Sequence, residues 1–150
     1  MIPIFETHRD NFTISTDPAL LDVDAIADML SRAYWANGRP RERIERSLRH
    51  SLVFGVYNGQ RQIGLARVIS DYAIFAYICD LIIHEDYRGH SLGKWLMETI
   101  LGHPDLQGLR RCSLVTRDAH GLYQRYGFTP LTRPETWMEL FKPFEGEGRD

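Results

Sequence analysis

A glycine-rich turn is the segment of this sequence whose residue types best predict chemistry. It reads RGHSLGK over residues 88–94, between the apolar run 76–83 and a stretch with apolar residues at helical spacing. Glycine lets the backbone approach a ligand closely, and the first N–H groups of a helix have no acceptor within the helix. Arg88 and Lys94 add positive charge that suits phosphate oxygens. The turn therefore predicts a binding site for a phosphorylated cofactor.

The same residues also fit a tight turn whose glycines serve packing alone. Neither the dinucleotide-binding pattern G-x-G-x-x-G nor the P-loop pattern G-x-x-x-x-G-K-[ST] occurs there. The turn on its own therefore does not name its cofactor.

Four helices are predicted from apolar residues that recur every three to four positions. They cover residues 24–34, 40–48, 92–101 and 119–126. Asp22 or Asp24 is expected to cap the first helix and Asp118 the last, while Gly127 is expected to close the last one.

Five strands are predicted from segments rich in β-branched, aromatic and other apolar residues. They cover residues 12–15, 51–57, 62–70, 76–83 and 112–116. Asn58-Gly59 predicts a hairpin turn, and the nearly continuous apolar run at 76–83 indicates a central strand. The order of elements predicts an α/β fold, an α+β arrangement built on a mixed sheet.

The two ends of the chain are expected to be less regular. The arm at 1–10 is predicted to be loose and the tail at 145–150 disordered. A strand is expected to restart at Phe128, and 137–141 is a candidate for the last strand.

Length and composition are those of a soluble globular protein. The 150 residues are 43% hydrophobic and 25% charged, and predict one domain over 1–150. The formal charge of −2 argues against a general nucleic-acid binder. The N-terminus lacks the pattern of a signal peptide, and no apolar run is long enough for a bilayer, so a cytoplasmic protein with no membrane contact is expected. Cys79 and Cys112 are predicted to be reduced, and no residue spacing resembles a metal site.

Two motifs together resemble the GNAT acetyltransferase family. The family signature [R/Q]-x-x-G-x-[G/A] follows an apolar strand and corresponds to residues 88–93, RGHSLG. A second hallmark, A-x-x-L-Y-x-x-x-G-F, corresponds to 119–128. The resemblance covers roughly 50–130, with three departures: Ser91 replaces the usual glycine, Glu85 stands where proline is common, and Thr116 stands where many members have asparagine.

The resemblance implies the GNAT acyl-CoA N-acyltransferase fold, whose central sheet is mixed, mostly antiparallel and flanked by helices. It also implies acetyl-CoA as cofactor, bound in a V-shaped gap between the fourth and fifth strands, with its pyrophosphate on the turn and its pantetheine arm along 81–83. By matching this sequence to the binding positions of the family, the resemblance implies these cofactor-binding residues: Leu81, Ile82, Ile83, Arg88, Gly89, His90, Ser91, Leu92, Gly93, Lys94, Thr116 and Tyr123.

Tyr123 occupies the position of the general acid in the family. A phenol with a pKa of about 10 can protonate a CoA thiolate whose conjugate acid has a pKa of about 8.5. A backbone N–H near Ile83 is a candidate donor to the oxyanion. The alternative is that Tyr123 simply belongs to the apolar stripe of its helix.

Asp80 is the candidate for the general base. It is the only charged residue in 76–83, and a buried carboxylate is paired, shifted in pKa or functional. It is able to take the proton of the amine directly or through water, or to pair with an arginine such as Arg67. Both alternatives stay open.

The acceptor is predicted to be a primary amine that attacks directly in a ternary complex. Candidate residues for its pocket are Tyr34, Trp35 and Trp137, for which core packing is an equally good explanation, and Asp71, which would attract a cationic amine. A small molecule is favoured over a protein lysine or N-terminus, because no feature suggests peptide capture. A homodimer is suggested by base rate only, and the rival function is a non-catalytic acetyl-CoA sensor or interaction domain.

Overall fold

A computed structural model describes residues 2–144 of the chain. Its six strands form one sheet in chain order, β1 to β6. All neighbouring strands are antiparallel except β5 and β6, which are parallel. The strands are β1 (Glu6–Arg9), β2 (Phe12–Ser15), β3 (Leu52–Asn58), β4 (Arg61–Ser70), β5 (Phe75–Ile83) and β6 (Arg111–Leu114). The helices are α1 (Val23–Ser31), α2 (Arg41–Arg49), α3 (Leu92–Leu101) and α4 (His120–Gln124).

Helices cover both faces of the sheet, because β3, β4 and β5 carry apolar side chains on both sides. On one face, α3 buries residues such as Leu96 and Ile100 against Phe54. On the other face, α1 and α2 bury Ile26 and Ile44 with side chains of the sheet. The predicted mixed, mostly antiparallel sheet flanked by helices is therefore confirmed.

A bulge in β5 shapes the region next to the turn. Leu65 lies opposite Ile82 and Arg67 opposite Cys79, so two residues of β5 face one residue of β4. Asp80 is one of the two and has a left-handed backbone, with φ of 54°. A bulge bends its strand and increases the local twist. It therefore redirects the end of β5 that leads into the turn.

The gap beside β5 arises because β6 is short. It pairs only with Phe75–Ile78, at the start of β5, and ends at Leu114. The second half of β5 therefore has no neighbour on that side among residues 2–144. This opening is where a cleft forms.

Several local predictions are corrected by the structure. Part of the arm at 1–10 is ordered as β1, since it pairs with β2. The first helix ends at Ser31 rather than near residue 34. Asp118 does not cap α4: instead, the Thr116 hydroxyl accepts a hydrogen bond from the Ala119 N–H at 3.1 Å.

The strands predicted at Phe128 and at 137–141 are wrong for this structure. In the described part of the chain no strand follows β6, because neither segment has a pairing partner there. The tail 145–150, predicted to be disordered, lies outside the described residues. No helix within 2–144 has the length and apolar character needed to cross a membrane.

Candidate active site

The turn after β5 presents backbone donors to one point. Gly89 has a φ of +90° and Ser91, which precedes α3, is left-handed with φ of 58°. The Ser91 side chain makes no capping hydrogen bond to α3, and the N–H groups at 92–94 have no acceptor among the described residues. A side chain at Gly93 would meet no atom within 4 Å. The turn thus has the free N–H groups and open space that a phosphate group requires.

The side chain of Arg9, in the edge strand β1, supports this turn through hydrogen bonds. Its guanidinium donates to the carbonyl oxygens of His90 at 3.2 Å and Ser91 at 3.3 Å. It also lies 4.9 Å from the ring centre of Trp95 in α3. Sequence reasoning missed Arg9, because it lies in the arm predicted to be loose and 82 positions from Ser91.

A second brace joins α1 to the turn through Glu85. The Arg32 guanidinium, just after α1, lies 2.6 Å from a Glu85 carboxylate oxygen. Arg88 approaches the other oxygen of Glu85 at 3.9 Å. Glu85, a departure from the family pattern, therefore links the end of α1 to the turn through ion pairs.

A cleft of about 670 Å³ opens between the end of β5, the turn and α4. Most of the predicted cofactor-binding residues line it: Leu81, Ile82, Ile83, Arg88, Gly89, Ser91, Leu92, Gly93, Lys94 and Tyr123. Tyr34 and Trp35, predicted for the acceptor, also line it. Residues as far apart in the sequence as Tyr34 and Tyr123 are thus brought to one site.

The backbone of β5 faces this cleft at Ile83. The His84 N–H, just after β5, donates to the Ile63 carbonyl of the neighbouring strand β4 at 2.7 Å. Because backbone groups alternate along a strand, the N–H and C=O of Ile83 point the other way, toward the cleft. The predicted oxyanion donor is therefore on the correct side of the strand.

Tyr123 lies on the opposite wall of the cleft, in α4. Burial raises the pKa of its phenol, and the neighbouring Tyr34 and Asp118 raise it further. Its ring meets Phe128 edge-on at 6.1 Å, and its hydroxyl makes no hydrogen bond to another described residue. The phenol is therefore protonated at neutral pH and free to donate.

The two walls touch across the cleft at Tyr34. The Arg117 guanidinium lies 3.8 Å from the ring centre of Tyr34, and the Arg117 N–H donates to the Tyr34 hydroxyl at 3.4 Å. Tyr34 also packs edge-on against Trp35 at 5.1 Å. This contact joins the segment after α1 to the loop before α4.

Asp80 is the centre of a buried charged cluster. One carboxylate oxygen accepts from the Trp35 indole N–H at 3.0 Å, and the other accepts from Arg39 at 2.8 Å and Arg67 at 3.0 Å. The Asp80 side chain is 3% exposed. Burial by itself raises the pKa of Asp80, but the two guanidiniums outweigh it and the pKa lies below its ordinary value. The predicted partner Arg67 is present, together with Arg39, which sequence reasoning missed.

Comparison with known proteins agrees with this geometry. The family model described as an acetyltransferase (GNAT) domain matches residues 49–130. The chain belongs to the GNAT acetyltransferase family. The predicted enzyme class, an acyltransferase that uses acetyl-CoA, is thereby confirmed.

Individual relatives of this GNAT protein support the same assignment. An acetyltransferase of Gibberella zeae is 35% identical over 138 residues, which cover 77% of each chain. The crystal structure of a GNAT family protein from Xanthomonas campestris is 47% identical, with a TM-score of 0.86 over 91% of this chain and 96% of that one. A GNAT acetyltransferase from Elizabethkingia anophelis, solved with acetyl-CoA bound, shares the fold at 17% identity, with a TM-score of 0.63 over 89% and 90% of the two chains.

Five of the residues predicted for this GNAT site do not line the cleft: Asp80, whose cluster is described above, and Asp71, His90, Thr116 and Trp137. The Asp71 carboxylate accepts from the N–H groups of residues 73–75, and these bonds, that of Ile74 foremost, lower the pKa of Asp71 to about 2. The Thr116 hydroxyl accepts from the Ala119 N–H just before α4, and the His90 ring packs against Phe12. Trp137 lies against Arg111, with 5.3 Å between guanidinium and ring centre.

The two thiols of this GNAT protein are held in the protonated form. Burial raises the pKa of Cys79 to about 11, although Arg67 opposes the shift, and burial also raises the pKa of Cys112. Within residues 2–144, no group of three His, Cys, Asp or Glu side chains is placed to hold a metal ion.

Proposed function

We propose that this GNAT protein transfers the acetyl group of acetyl-CoA directly to a primary amine, in a ternary complex, with Tyr123 as general acid to the CoA thiolate. One observation carries the proposal. A protonated, unengaged phenol and the free N–H groups of the turn line the same cleft.

The residues that would hold the cofactor act mainly through their backbones. The N–H groups at 92–94 would bind the pyrophosphate, and the outward-facing groups of Ile83 would bind the pantetheine arm. Arg88 and Lys94, both on the cleft, add positive charge. Acetyl-CoA supplies the activated thioester. Substitution of the exposed His90 side chain should therefore matter little, whereas Leu92 is buried in the core and its substitution would destabilise the fold.

Tyr123 suits the donation of a proton to a departing thiolate. Its raised pKa keeps it protonated through neutral pH, so a proton is available to the sulfur as negative charge develops there. Because a thiol with a pKa of about 8.5 is a stronger acid than the phenol, the complete transfer is uphill, and the phenolate regains its proton from the solvent. Neither Cys79 nor Cys112 is ionised to serve as a nucleophile, which supports direct transfer.

For Asp80, the contacts support a positioning role. A carboxylate bound to two arginines is a weak base, and its oxygens are already engaged by Arg39, Arg67 and Trp35. Asp80 thus holds Trp35 against the cleft and Arg39 and Arg67 against the neighbouring cavity.

The charge of that cavity favours a small acceptor that carries an acidic group besides its amine. The cavity measures about 570 Å³ and is lined by Arg39, Arg43, Arg46, Arg67, Ser47, His50 and Phe144. Asp80 pairs with two of its arginines, and among residues 2–144 no carboxylate pairs with the other two. An amino acid or an amino phosphate matches this charge better than a plain alkylamine does.

The experiment is a calorimetric titration with acetyl-CoA, CoA and ATP, followed by an amine screen that measures thiol release. We expect acetyl-CoA to bind much more tightly than ATP, and acidic amines to be acetylated faster than the same amines without their acidic group. Peptides with a free lysine or N-terminus form a second arm of the screen. If peptides alone are acetylated, the acceptor is a protein.

Tyr123→Phe separates the enzyme from a sensor domain. We expect kcat to fall about 100-fold while the Kd for acetyl-CoA stays constant, because only the acid is removed. Because the pKa of the phenol is raised, the wild-type rate should fall only at a pH above the ordinary phenol pKa of about 10, and this decrease should be absent from the variant. Tyr72→Phe is the matched control, since it removes the hydroxyl of a partly buried tyrosine that does not line the cleft. Equal turnover of wild type and Tyr123→Phe would refute the role of Tyr123.

A further inference from the structure

The basic cavity next to Asp80 takes its arginines from one side of α2 and from β4. Residues 39, 43, 46, 47 and 50 recur at helical spacing along α2 and its two ends, and Arg67 completes the lining from the sheet. Among the described residues, no Asp or Glu lines this cavity. On another side of α2, Arg41 pairs with Glu45 and with Asp24. The ion pairs of α2 therefore lie away from the cavity, which keeps a positive charge.

Two of the four arginines have a role inside the fold. The Arg67 guanidinium donates to Asp80 at 3.0 Å and to the Ser51 hydroxyl at 3.2 Å, and the Arg39 guanidinium donates to Asp80 at 2.8 Å. The side chains of Arg67 and Arg39 are only 13% and 16% exposed. Because the two guanidiniums share one carboxylate, this group still has one positive charge in excess.

The other two arginines, Arg43 and Arg46, have no such role. Both are exposed, and within residues 2–144 neither guanidinium forms an ion pair or a hydrogen bond. The helix dipole favours Arg46 in the last turn of α2, but it disfavours a cation in the first turn, where Arg43 lies. One carboxylate for four guanidiniums leaves three positive charges in excess. The cavity therefore has the charge of a site for an anionic group.

The position of the cavity along β5 sets the distance between such a group and the reacting amine. The amine has to reach the acetyl group beside Ile83, the candidate oxyanion donor, whereas the cavity adjoins Asp80, three residues earlier in the strand. Residues of a strand advance about 3.3 Å each, so the separation is about 10 Å. Arg67 lies opposite Cys79, which is farther still from Ile83. An anionic group in the cavity is therefore remote from the amine.

Trp35 is the side chain between the two sites. It lines the cofactor cleft, and its indole N–H donates to the same carboxylate that holds Arg39 and Arg67 at the cavity. A ligand that extends from the cleft to the cavity therefore has to pass this indole. An extended carbon chain suits that contact, since it buries apolar surface against the ring.

We propose that the acceptor is a primary amine with an acidic group about 10 Å from its nitrogen, and that Arg43 and Arg46 bind this acidic group. The inference rests on the proposed function, since it names the acceptor class of the same site. An extended chain advances about 3.5 Å for every three bonds, so amine and acid are about eight or nine bonds apart. An α-amino acid, with a single carbon between its amine and its carboxylate, is too short to reach both sites.

The excess charge of the cavity also ranks the acidic groups. A phosphate monoester has a charge of about −1.5 to −2 at pH 7, so it compensates three positive charges better than one carboxylate does. Its oxygens also accept from two guanidiniums at once. At equal chain length, an aminoalkyl phosphate should therefore be a better acceptor than an ω-amino acid.

A series of ω-amino acids of three, six, eight and ten carbons tests the spacing. Each is compared with its primary amide, which has the same length without the charge, and thiol release at saturating acetyl-CoA gives kcat/KM. We expect kcat/KM of the acid to exceed that of its amide at least about tenfold at eight carbons, because a charge-assisted contact forms, and less than about twofold at three carbons. The aminoalkyl phosphate of matching length should exceed the eight-carbon acid.

Substitutions of the two exposed arginines test the residues. Arg43→Gln and Arg46→Gln should each lower the acid-to-amide ratio at eight carbons about 3- to 10-fold. Arg49→Gln is the matched control, because Arg49 is exposed in the same last turn of α2 as Arg46 but does not line the cavity. It should keep the ratio of the wild type. Circular dichroism checks that all three variants are folded.

Binding measurements separate the failure of this proposal from the failure of the proposed function. Calorimetry with CoA present gives the Kd of each acid and amide without turnover. If no amine is acetylated but the eight-carbon acid binds more tightly than its amide and needs Arg43 and Arg46, direct transfer is refuted and the acid site is supported.

Three results would overturn the assignment of the acid site. The first is equal binding and equal acetylation of acids and amides at every length. The second is a preference for the acid that is as large at three carbons as at eight, which would contradict the spacing. The third is an effect of Arg49→Gln as large as that of Arg43→Gln, which would mean that the overall charge of α2 decides the preference.

Discussion

The cluster around Asp80 in β5 and the turn that follows β5 are close in sequence but are built in opposite ways. The turn uses consecutive residues, 88–94, and its working groups are backbone N–H groups. The cluster uses side chains of Trp35, Arg39, Arg67 and Asp80, with as many as 45 positions between partners. A backbone site tolerates changes of side chain, whereas a buried charged cluster fails when one member is lost.

The two regions also share a feature, a residue with a left-handed backbone, and use it differently. Asp80 belongs to a residue type that adopts this conformation readily, and its carboxylate is fully bonded. Ser91 adopts it with a side chain that caps nothing in α3. The left-handed conformation of Asp80 is therefore compensated by its contacts. That of Ser91 is strained, and it occurs at a position where the family has glycine.

The largest effect is expected from breaking the cluster. Asp80→Asn keeps the shape and the backbone preference but leaves Arg39 and Arg67 without their buried counterion. Loss of one partner of a buried ion pair costs about 3 to 5 kcal/mol of unfolding free energy, which urea unfolding measures. Asp28→Asn is the control: its pair with Arg32 is exposed, so a loss below about 0.5 kcal/mol is expected. Equal losses would show that the cluster does not stabilise the fold.

The pH dependence sharpens the same comparison. The pKa of Asp80 is lowered in the folded state, so its contribution is complete above the unfolded pKa of about 3.9 and is lost as the pH falls through the folded value. The difference in unfolding free energy between wild type and Asp80→Asn should therefore be constant near neutral pH and shrink below about pH 4. The same variant tests the role of Asp80 in activity. If Asp80 only positions its neighbours, the decrease in the transfer rate at acidic pH, the acidic limb, should persist in Asp80→Asn. Disappearance of that limb would favour a general base.

A smaller effect is expected from removing the brace of the turn. Arg9→Met keeps the aliphatic stem but loses the hydrogen bonds to the His90 and Ser91 carbonyls. The Kd for acetyl-CoA should rise about 3- to 10-fold, which corresponds to about 1 kcal/mol. Arg111→Met is matched to it, because Arg111 also lies over a ring, that of Trp137, and neither of these residues lines the cleft. An unchanged Kd in Arg9→Met would mean that the backbone holds the turn without help.

The smallest effect is a gain of stability at Ser91. Ser91→Gly should raise the unfolding free energy by about 1 kcal/mol, because glycine adopts the left-handed conformation without strain. Ser91→Ala retains the Cβ and should give no gain, which separates backbone strain from loss of the hydroxyl. Acetyl-CoA should bind Ser91→Gly at least as well as wild type. If both variants have the same stability, Ser91 is not strained.

Local patterns predicted the parts of this protein that short stretches of chain build. The strand at 76–83, the turn, α3 and α4 occupy nearly the predicted residues, because periodicity and glycine act over a few positions. The order of these elements also predicted the mixed sheet correctly. The turn proposed to bind the cofactor was recognisable for the same reason, since its donors are consecutive backbone groups.

Long-range contacts were beyond such patterns. The alternation at 137–141 predicted a strand, but a strand exists only where a partner pairs with it, and within 2–144 none does. Asp71 looked like a binding residue, yet its carboxylate is used by the N–H groups of its own turn. The contacts of Arg9 and Arg39 follow from folding, because residues distant in the chain meet only when the sheet and helices have packed.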